Sequence, residues 1–557
     1  MATDSNNTES LAPHHSSTSS PQPDSENAVR SLETKIAHEK GAITYIHGPR
    51  FWFISSTIAA MMFMTNLEVP IVVTAVVAIT GDLGGFDNVG WVVASYLLGY
   101  IAVIVIFAKF SDIFTRKFIF LLSIAIFTIF SAACAAAQTI VQLIVFRAFQ
   151  GIGGGGCFSL CTIMITDLVP PEKLKTFVSN VSIVNAIALL IGPVLGGAIS
   201  ENTTWRWIFI INIPVSVAAF IIAYVAIPKN FPYQNNNTST GIRGYISKLF
   251  SAEAFGRVDL LGTILVLFAT LALTAGFEEA DRRFPWRSAY VITLLTSSGL
   301  FWVALLFWER YVTQSNGSRE PVLPWRFFTN RQMIGILLNF IFLGGPTIIG
   351  MFILPQRFQL VYNLSGLEAG VRLIPFTITI PAGTIFASAM SERFKIPALY
   401  LIFLGSALQV IGFALLGTLP TSLEIPPQLY GFEIIAGWGC GINFALLFIM
   451  IPFVNEERDR AVGMGAGAQF RTMGSSMALA ISTSVFNTYV RPELVALLGY
   501  SEMAFAGDVA GLPTSLQHDV RHVLARGYNN QILVLCVSAA LQFPASLLMW
   551  KKNQVRV

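Results

Sequence analysis

The chain has 557 residues, of which 54% are hydrophobic and 12% charged, and its net charge is +4. Soluble domains carry roughly 25% charged residues, so this chain lacks the polar groups to cover a water-facing surface. Lipid must solvate much of it, and the basic residues, placed in short loops between apolar stretches, do not point to nucleic acid.

Residues 1–49 are rich in Ser, Thr, Asn and Pro and read as a disordered cytoplasmic tail, with a short amphipathic helix around 28–40. Apolar stretches of about 20 residues then recur, the length a helix needs to cross a core of roughly 30 Å. The ten-residue alternation of a membrane β-barrel is absent. The expectation is an all-α polytopic membrane protein with fourteen spans. They fall near 51–79, 89–108, 117–137, 140–165, 174–200, 206–227, 258–277, 288–308, 332–354, 367–390, 396–417, 429–452, 461–486 and 528–549. All five cysteines (Cys134, Cys157, Cys161, Cys440, Cys536) lie within these spans and read as small buried side chains, with no disulfide framework or metal site implied.

Loop charge tests this map. With the N-terminus inside, 24 of the 35 Lys and Arg fall in inner segments, 8 in outer ones and 3 within spans. That bias predicts cytoplasmic N- and C-termini and supports an even span count. The sequons at Asn202 and Asn363 then fall outside, close to the membrane edge. The long outer segment 487–527 mixes apolar and charged residues and is expected to hold a helix lying on the membrane surface.

Glu68 is an acid inside the first span. After span two, Ala108-Lys109-Phe110-Ser111-Asp112-Ile113-Phe114-Thr115-Arg116-Lys117 places an acid at a helix end, a tight turn and then bases. Asp112, Arg116 and Lys117 can form a clasp that holds one conformation, though ordinary loop charge gives the same composition. Arg147, in Arg147-Ala148-Phe149-Gln150-Gly151, lies mid-span, where a charge costs at least ~2.5–3.5 kcal/mol and marks a cavity or partner. The run Gly151–Gly156 fits G-x-G-x-x-G. It lies inside an apolar helix rather than between a strand and a helix, so close helix packing explains it better than dinucleotide binding. No G-x-x-x-x-G-K-[ST] loop is present, so an ion gradient is the expected energy source. Span five carries Gly192-Pro193-Val194-Leu195-Gly196-Gly197, a bend flanked by glycines.

Together, the span count and these motifs resemble the major facilitator superfamily. The loop after span two is similar to its G-x-L-x-D-R-x-G-R-R signature, Arg147-x-x-Gln150-Gly151 to its fourth-helix R-x-x-Q-G, and Gly192-Pro193-x-x-Gly196-Gly197 to the fifth-helix motif of antiporters. Asn66–Thr74, Ser95-Tyr96-Leu97 and Trp205–Pro214 resemble the fungal fourteen-span drug:proton antiporters over roughly residues 50–550. Three departures stand out. Ala108 and Thr115 replace motif glycines, which predicts a looser turn. Ser179 and Ala188 replace earlier glycines of the fifth-helix motif. Glu68 stands where an Asp is usual.

The resemblance implies a major facilitator fold of two six-helix bundles plus two extra linking helices. The bundles would occupy 50–228 and 331–550. A cytoplasmic loop with the two extra spans would fill 229–330, and 551–557 would be a cytoplasmic tail. It also implies proton-coupled efflux of hydrophobic or amphipathic small molecules, such as drugs or a fungal secondary metabolite, by a monomer in the plasma membrane, or else in a vacuolar or vesicle membrane. Desolvation favours the neutral form of a carboxyl group, so Glu68 is the expected proton carrier, modulated by Arg147, with Glu433 the second choice. Phe149, Gln150, Asn185, Asn339, Asn443, Gln469 and Arg471 are expected to line a substrate cavity near the membrane midplane. No cofactor, metal or nucleic acid is expected. Proton-coupled uptake of a small solute or iron chelate is the alternative within transport. A non-transporting receptor or scaffold is the alternative of another class. An enzyme would need a reactive cluster, and the six His residues all lie outside the spans.

Overall fold

The computed structural model describes residues 46–84, 89–229, 231, 256–315, 319–498 and 513–552. Among them the first six long helices are α1 Pro49–Leu83, α2 Val89–Phe114, α3 Arg116–Ala136, α4 Ile140–Leu168, α5 Pro171–Asn202 and α6 Trp207–Ala226, which is broken at Ile211. Next come α7 Leu260–Glu279 and α8 Ala289–Gln314. The last six are α9 Arg331–Leu360, α10 Glu368–Arg393, α11 Ala398–Gly417, α12 Gln428–Val454, α13 Arg460–Leu498 and α14 Thr514–Leu548. Among the described residues the only β pairing is two isolated bridges. The N-terminal tail, with its expected helix at 28–40, lies outside the described residues.

Thirteen of these helices are long and apolar enough to cross a membrane. The exception is α13, whose first two-thirds are dominated by Gly, Ala, Ser and Thr. It packs on α2, α9 and α14, so protein rather than lipid surrounds much of it and its hydropathy falls below that of its neighbours.

The outer segment 487–527 differs from expectation. Helix α13 continues to Leu498 and α14 begins at Thr514, so most of that segment extends the two helices, and no separate surface helix occurs in its described part. The reason is an apolar stripe at helical spacing. Phe486, Val490 and Leu494 share one core cluster with Val520, Leu524 and Tyr528. At 39 residues α13 is about 58 Å long, well beyond a hydrocarbon core of about 30 Å.

Small residues set the helix spacing. A Cβ on Gly151 would overlap the Tyr96 carbonyl, and one on Gly155 would lie 2.9 Å from the Tyr100 carbonyl carbon. Between them Gly153 faces Phe127 of α3, where a Cβ would come within 2.7 Å of the Phe127 Cα. The glycine run therefore seats α4 against α2 and α3, as packing and not nucleotide binding requires. In the second half, Gly412 of α11 meets Ala436 of α12 with equally little room. The halves touch where α2 packs on α13 and α5 on α10, and α7 lies against both α2 and α13.

The turn between α2 and α3 is tight despite Thr115. That residue takes φ 95° and ψ 142°, and its hydroxyl accepts the Phe118 N–H at 3.5 Å. The lost glycine has been replaced by backbone strain rather than by a looser turn.

Candidate transport cavity and buried ion pair

A cavity of about 400 Å³ lies between the halves. Its walls come from α1, α2, α5 and α7 on one side and α9, α10, α12 and α13 on the other. Val69, Pro70, Val73 and Leu97 make one wall apolar, and Ile348, Met351 and Phe352 the other. Helix α9 reaches it through a π-helical turn, Gly345–Ile349, which places Thr347, Ile348 and Ile349 on the lining. Such turns recur at functional sites, and nothing in the apolar sequence signals this one beyond Gly345-Pro346. The mouth carries Gly90, Glu278 and Arg282, with the last two ion-paired to each other.

At the other end the halves are pressed together. A Cβ on Gly465 of α13 would come within 2.6 Å of the Ala108 Cβ of α2. Gln469 Oε1 accepts the Val105 N–H at 3.0 Å, and its Nε2 donates to Thr270 Oγ1 of α7 at 2.9 Å. Lys109 Nζ lies 2.6 Å from Glu320 Oε2, and Arg257 Nε donates to Glu320 Oε1 at 2.8 Å. Partial burial pushes the Glu320 carboxyl up. The Lys109 and Arg257 cations outweigh it and hold that group below the usual carboxylate range.

Behind the α1 wall sits a buried polar cluster. Glu68 is 1% exposed and Arg147 is 0% exposed, and the two are ion-paired. Glu68 also accepts Gln150 Nε2 at 3.0 Å and Asn212 Nδ2 at 2.7 Å. Arg147 donates to the Val92 carbonyl at 3.0 Å and to Gln150 Oε1 at 2.9 Å, and packs over the Tyr96 ring at 4.4 Å. Gln150 donates further to Ser131 Oγ at 2.8 Å. Five helices thus converge on this cluster, α3 through Gln150, while Arg147 Nη2 and the Tyr96 hydroxyl stay buried without a partner among the described residues. Sequence reasoning paired Glu68 with Arg147. It did not assign roles to Asn212, Ser131 and Tyr96, although Tyr96 and Asn212 stand in the motif stretches, and a polar residue within a span was the available signal.

Two of the seven expected cavity residues line the cavity, Asn185 and Arg471. Asn185 Oδ1 accepts Asn66 Nδ2 at 3.1 Å. Phe149 is instead 45% exposed on the outer face of α4, stacked on Phe130 at 4.8 Å. Gln150 belongs to the Glu68 cluster, and Gln469 ties α13 to α2 and α7. Asn339 joins α9 to α14 by accepting Ser546 Oγ at 3.1 Å. Asn443 joins α12 to α11 and α14 through Ser406 Oγ at 2.9 Å and Gln542 Oε1 at 2.6 Å. Each of these amides is engaged at a helix contact rather than at the cavity, although Asn443 Oδ1 is buried without a partner. Glu433 is fully buried, and neither carboxyl oxygen has a hydrogen-bond partner.

The clasp is made within one half. Arg116 binds Asp112 at 2.5 Å, Ser111 Oγ at 2.6 Å and Asp167 of α4 at 2.9 Å. Lys117 donates to the Tyr224 and Ile227 carbonyls, each at 2.6 Å, capping the end of α6 where the helix dipole favours a cation. Of the fifth-helix glycines, Gly192 meets Pro70 and Gly196 meets Ile71 and Thr74 of α1, whereas a Cβ on Gly197 would meet nothing within 4 Å. Pro193 lies inside α5. The sequon residues Asn202 and Asn363 are both exposed, at the end of α5 and in the α9–α10 turn.

A cavity at the seam of two six-helix halves is the architecture of a secondary transporter, in which solute binds near the midplane at the interface of the repeats. The fold defines a multi-pass membrane transporter of small molecules. Residues 52–280 match the family model described as Major Facilitator Superfamily. The MFS-type transporter FPY5 of Fusarium mangiferae is 36% identical over 513 residues, covering 91% of this chain and 85% of that protein. The efflux pump FUS6 of Gibberella fujikuroi is 28% identical, covering 85% of this chain and 82% of that one. The solved structure of the proton:xylose symporter XylE bound to 6-bromo-6-deoxy-D-glucose aligns with a TM-score of 0.54 at 15% identity, covering 90% of this chain and 95% of that one. The chain belongs to the major facilitator superfamily, and it is a transporter rather than an enzyme.

Proposed function

We propose that this protein exports hydrophobic or amphipathic small molecules, drugs or a fungal secondary metabolite, in exchange for protons. The observation that carries the reading is the buried Glu68–Arg147 pair set directly behind the cavity wall. Glu68 shares α1 with the lining residues Asn66, Val69 and Pro70, and Arg147 packs on Tyr96, which also lines the cavity. A proton on Glu68 cancels its charge and releases Arg147 to Val92, Gln150 and the Tyr96 face. The donors from α4 and α6 then hold α1 less tightly, and α1 carries the wall that meets substrate. Proton occupancy and cavity shape are thereby linked through one helix. Glu433, buried and unpaired in the second half, is the second candidate for proton binding.

The apolar walls suit amphipathic organic solutes. The efflux-pump names among the relatives support the outward direction. The loop-charge bias supports cytoplasmic termini. On that orientation the mouth faces outward and the pressed end faces the cytoplasm, in the plasma membrane. One chain encloses the whole cavity, in keeping with a monomer. The test is proton-coupled efflux from proteoliposomes, measured with hydrophobic fluorescent dyes under an imposed pH gradient. The wild type should extrude dye faster as the gradient grows, while Glu68→Gln should bind dye but lose that dependence. Normal coupling and pH dependence in a well-folded Glu68→Gln variant would sink the proposal.

A further inference from the structure

The cavity lining contains three charged residues, Glu278, Arg282 and Arg471. Glu278 and Arg282 neutralise each other at the mouth. Arg471 is the remaining charge, and among the described residues no carboxylate or hydrogen-bond acceptor pairs with it. Its guanidinium carbon lies 5.3 Å from the Phe444 ring centre and 5.9 Å from that of Phe158, and its Nε is buried without a partner. The hydroxyls beside it on α13 do not serve it, and Tyr100, which also lines the cavity and interacts with it electrostatically, makes no hydrogen bond to it among the described residues. Thr472 Oγ1 donates to the Ala468 carbonyl at 2.9 Å and Ser475 Oγ to the Thr472 carbonyl at 2.7 Å, so both are turned back on their own helix. Aromatic faces offset part of the cost of a cation at this depth. They do not replace a counter-ion.

We propose that Arg471 is the counter-ion of the substrate, and that the cavity selects lipophilic organic acids in their anionic form. This rests on the transport reading above and narrows it to a charge class. A carboxylate on an amphipathic skeleton accepts two parallel N–H bonds from the guanidinium fork while its apolar body lies on Val69, Leu97 and Phe352. A neutral solute of the same shape leaves the guanidinium unpaired once the cavity closes and water leaves it. A cationic solute adds repulsion across a low-dielectric space. Selection by charge therefore strengthens as the site dries, which is the step that commits a solute to transport.

Binding and export are read separately. Purified full-length protein in lipid nanodiscs is titrated with dansyl-labelled undecanoic acid, its primary amide and the corresponding amine at neutral pH, following dansyl fluorescence. The acid should bind about 10- to 100-fold tighter than the amide, the span expected for one charge-assisted hydrogen-bonded contact, and the amine should bind weakest. Arg471→Gln should erase the acid's advantage over the amide, and Arg471→Lys should keep part of it. Equal binding of the three probes by the wild type, failure of the acid to bind, or an acid preference that survives in Arg471→Gln overturns the inference. The wild-type comparison stands even where a variant does not fold. Export from proteoliposomes then distinguishes the two readings. Acid bound preferentially but never exported refutes efflux and leaves the charge selection standing. Export with no charge preference does the reverse.

Discussion

The Glu68–Arg147 pair makes a quantitative prediction about stability that is separate from transport. Both side chains are out of contact with water, so removing one partner strands the other charge, at a cost of about 3–5 kcal/mol. The two single variants are not equivalent. In Glu68→Gln, Arg147 keeps the Val92 carbonyl, Gln150 Oε1 and the Tyr96 face. Asn212 Nδ2, which now donates to a carboxylate oxygen, can be left facing a second donor. That variant should sit near the lower end of the range. In Arg147→Met, Glu68 retains only the two amide donors, Gln150 and Asn212; while its carboxylate stays ionised the loss should approach the upper end, and it shrinks as the pH falls and Glu68 takes up a proton. The double variant removes both charges and strands neither. It should recover to within about 2 kcal/mol of wild type, since buried pairs replaced by apolar groups of similar size are often near neutral. Thermal unfolding can be followed with a thiol-reactive fluorophore, because Cys134, Cys157, Cys161 and Cys440 are buried and free. At a pH high enough to keep Glu68 ionised, the expected order of midpoints is wild type, double variant, Glu68→Gln, Arg147→Met. A double variant that falls by the sum of the two singles would show that the charges do not interact, and would refute the reasoning.

Thr115→Gly should raise stability by about 1 kcal/mol, because glycine takes φ 95° without steric cost and the lost hydroxyl contact is long at 3.5 Å; a lower midpoint would mean the turn is not strained. Gly196→Ala should lower the midpoint and impair transport, since its Cβ would overlap α1, while Gly197→Ala should be neutral within about 0.5 kcal/mol because it meets nothing. Equal effects at the two positions would contradict the packing. The Glu320 carboxyl is held below its ordinary value of 4.5. Its contribution to holding α2 against the segment after α8 is therefore complete above that value and lost as the pH falls through the lower, folded-state one. Protease cleavage between α8 and α9 should rise at pH below 4.5 in the wild type and already be high at neutral pH in Glu320→Gln; cleavage unaffected by the substitution would refute the tether.

Hydropathy was sufficient for thirteen helices because lipid imposes one rule on every face that meets it. It misjudged the outer ends of α13 and α14 for the converse reason. Beyond the bilayer the two helices bury Val490 and Leu494 against Val520 and Leu524, and a charged, mixed composition there still makes helix. The same logic separates the site residues. A polar residue in a span announces that it avoids lipid, not whether it faces a cavity or another helix. Asn339, Asn443 and Gln469 turned out to be ties between helices and Asn185 a wall residue, and no periodicity distinguishes them. Arg147 and Glu68 were legible because each is too costly to bury alone, so each implied the other. The π-helical turn of α9 was not legible, because a one-residue change of register leaves the apolar pattern nearly intact.

The distribution of these contacts sets the energetic scale of any change of shape. The pressed end is joined by a few neutral hydrogen bonds, such as Gln469 to Val105 and to Thr270, each worth about 1 kcal/mol net. To these the Lys109–Glu320–Arg257 group adds a partly exposed ion pair of about the same size. The polar contacts that opening breaks total a few kcal/mol, of the order of the differential binding energy that shifts a two-state equilibrium from one end to the other, about 5 kcal/mol, while Val105 of α2 also separates from Val462 and Ala466 of α13. The Arg116 clasp and the Lys117 cap lie wholly within the first half and need not break, so that half can move as a unit. On the proposed mechanism, a substrate anion on Arg471 and a proton on Glu68 act on opposite walls of one cavity, and each need supply only part of that sum. A seam built from buried carboxylate pairs would cost far more to open than either ligand could provide. Its weakness is therefore a requirement of alternating access rather than a defect of packing.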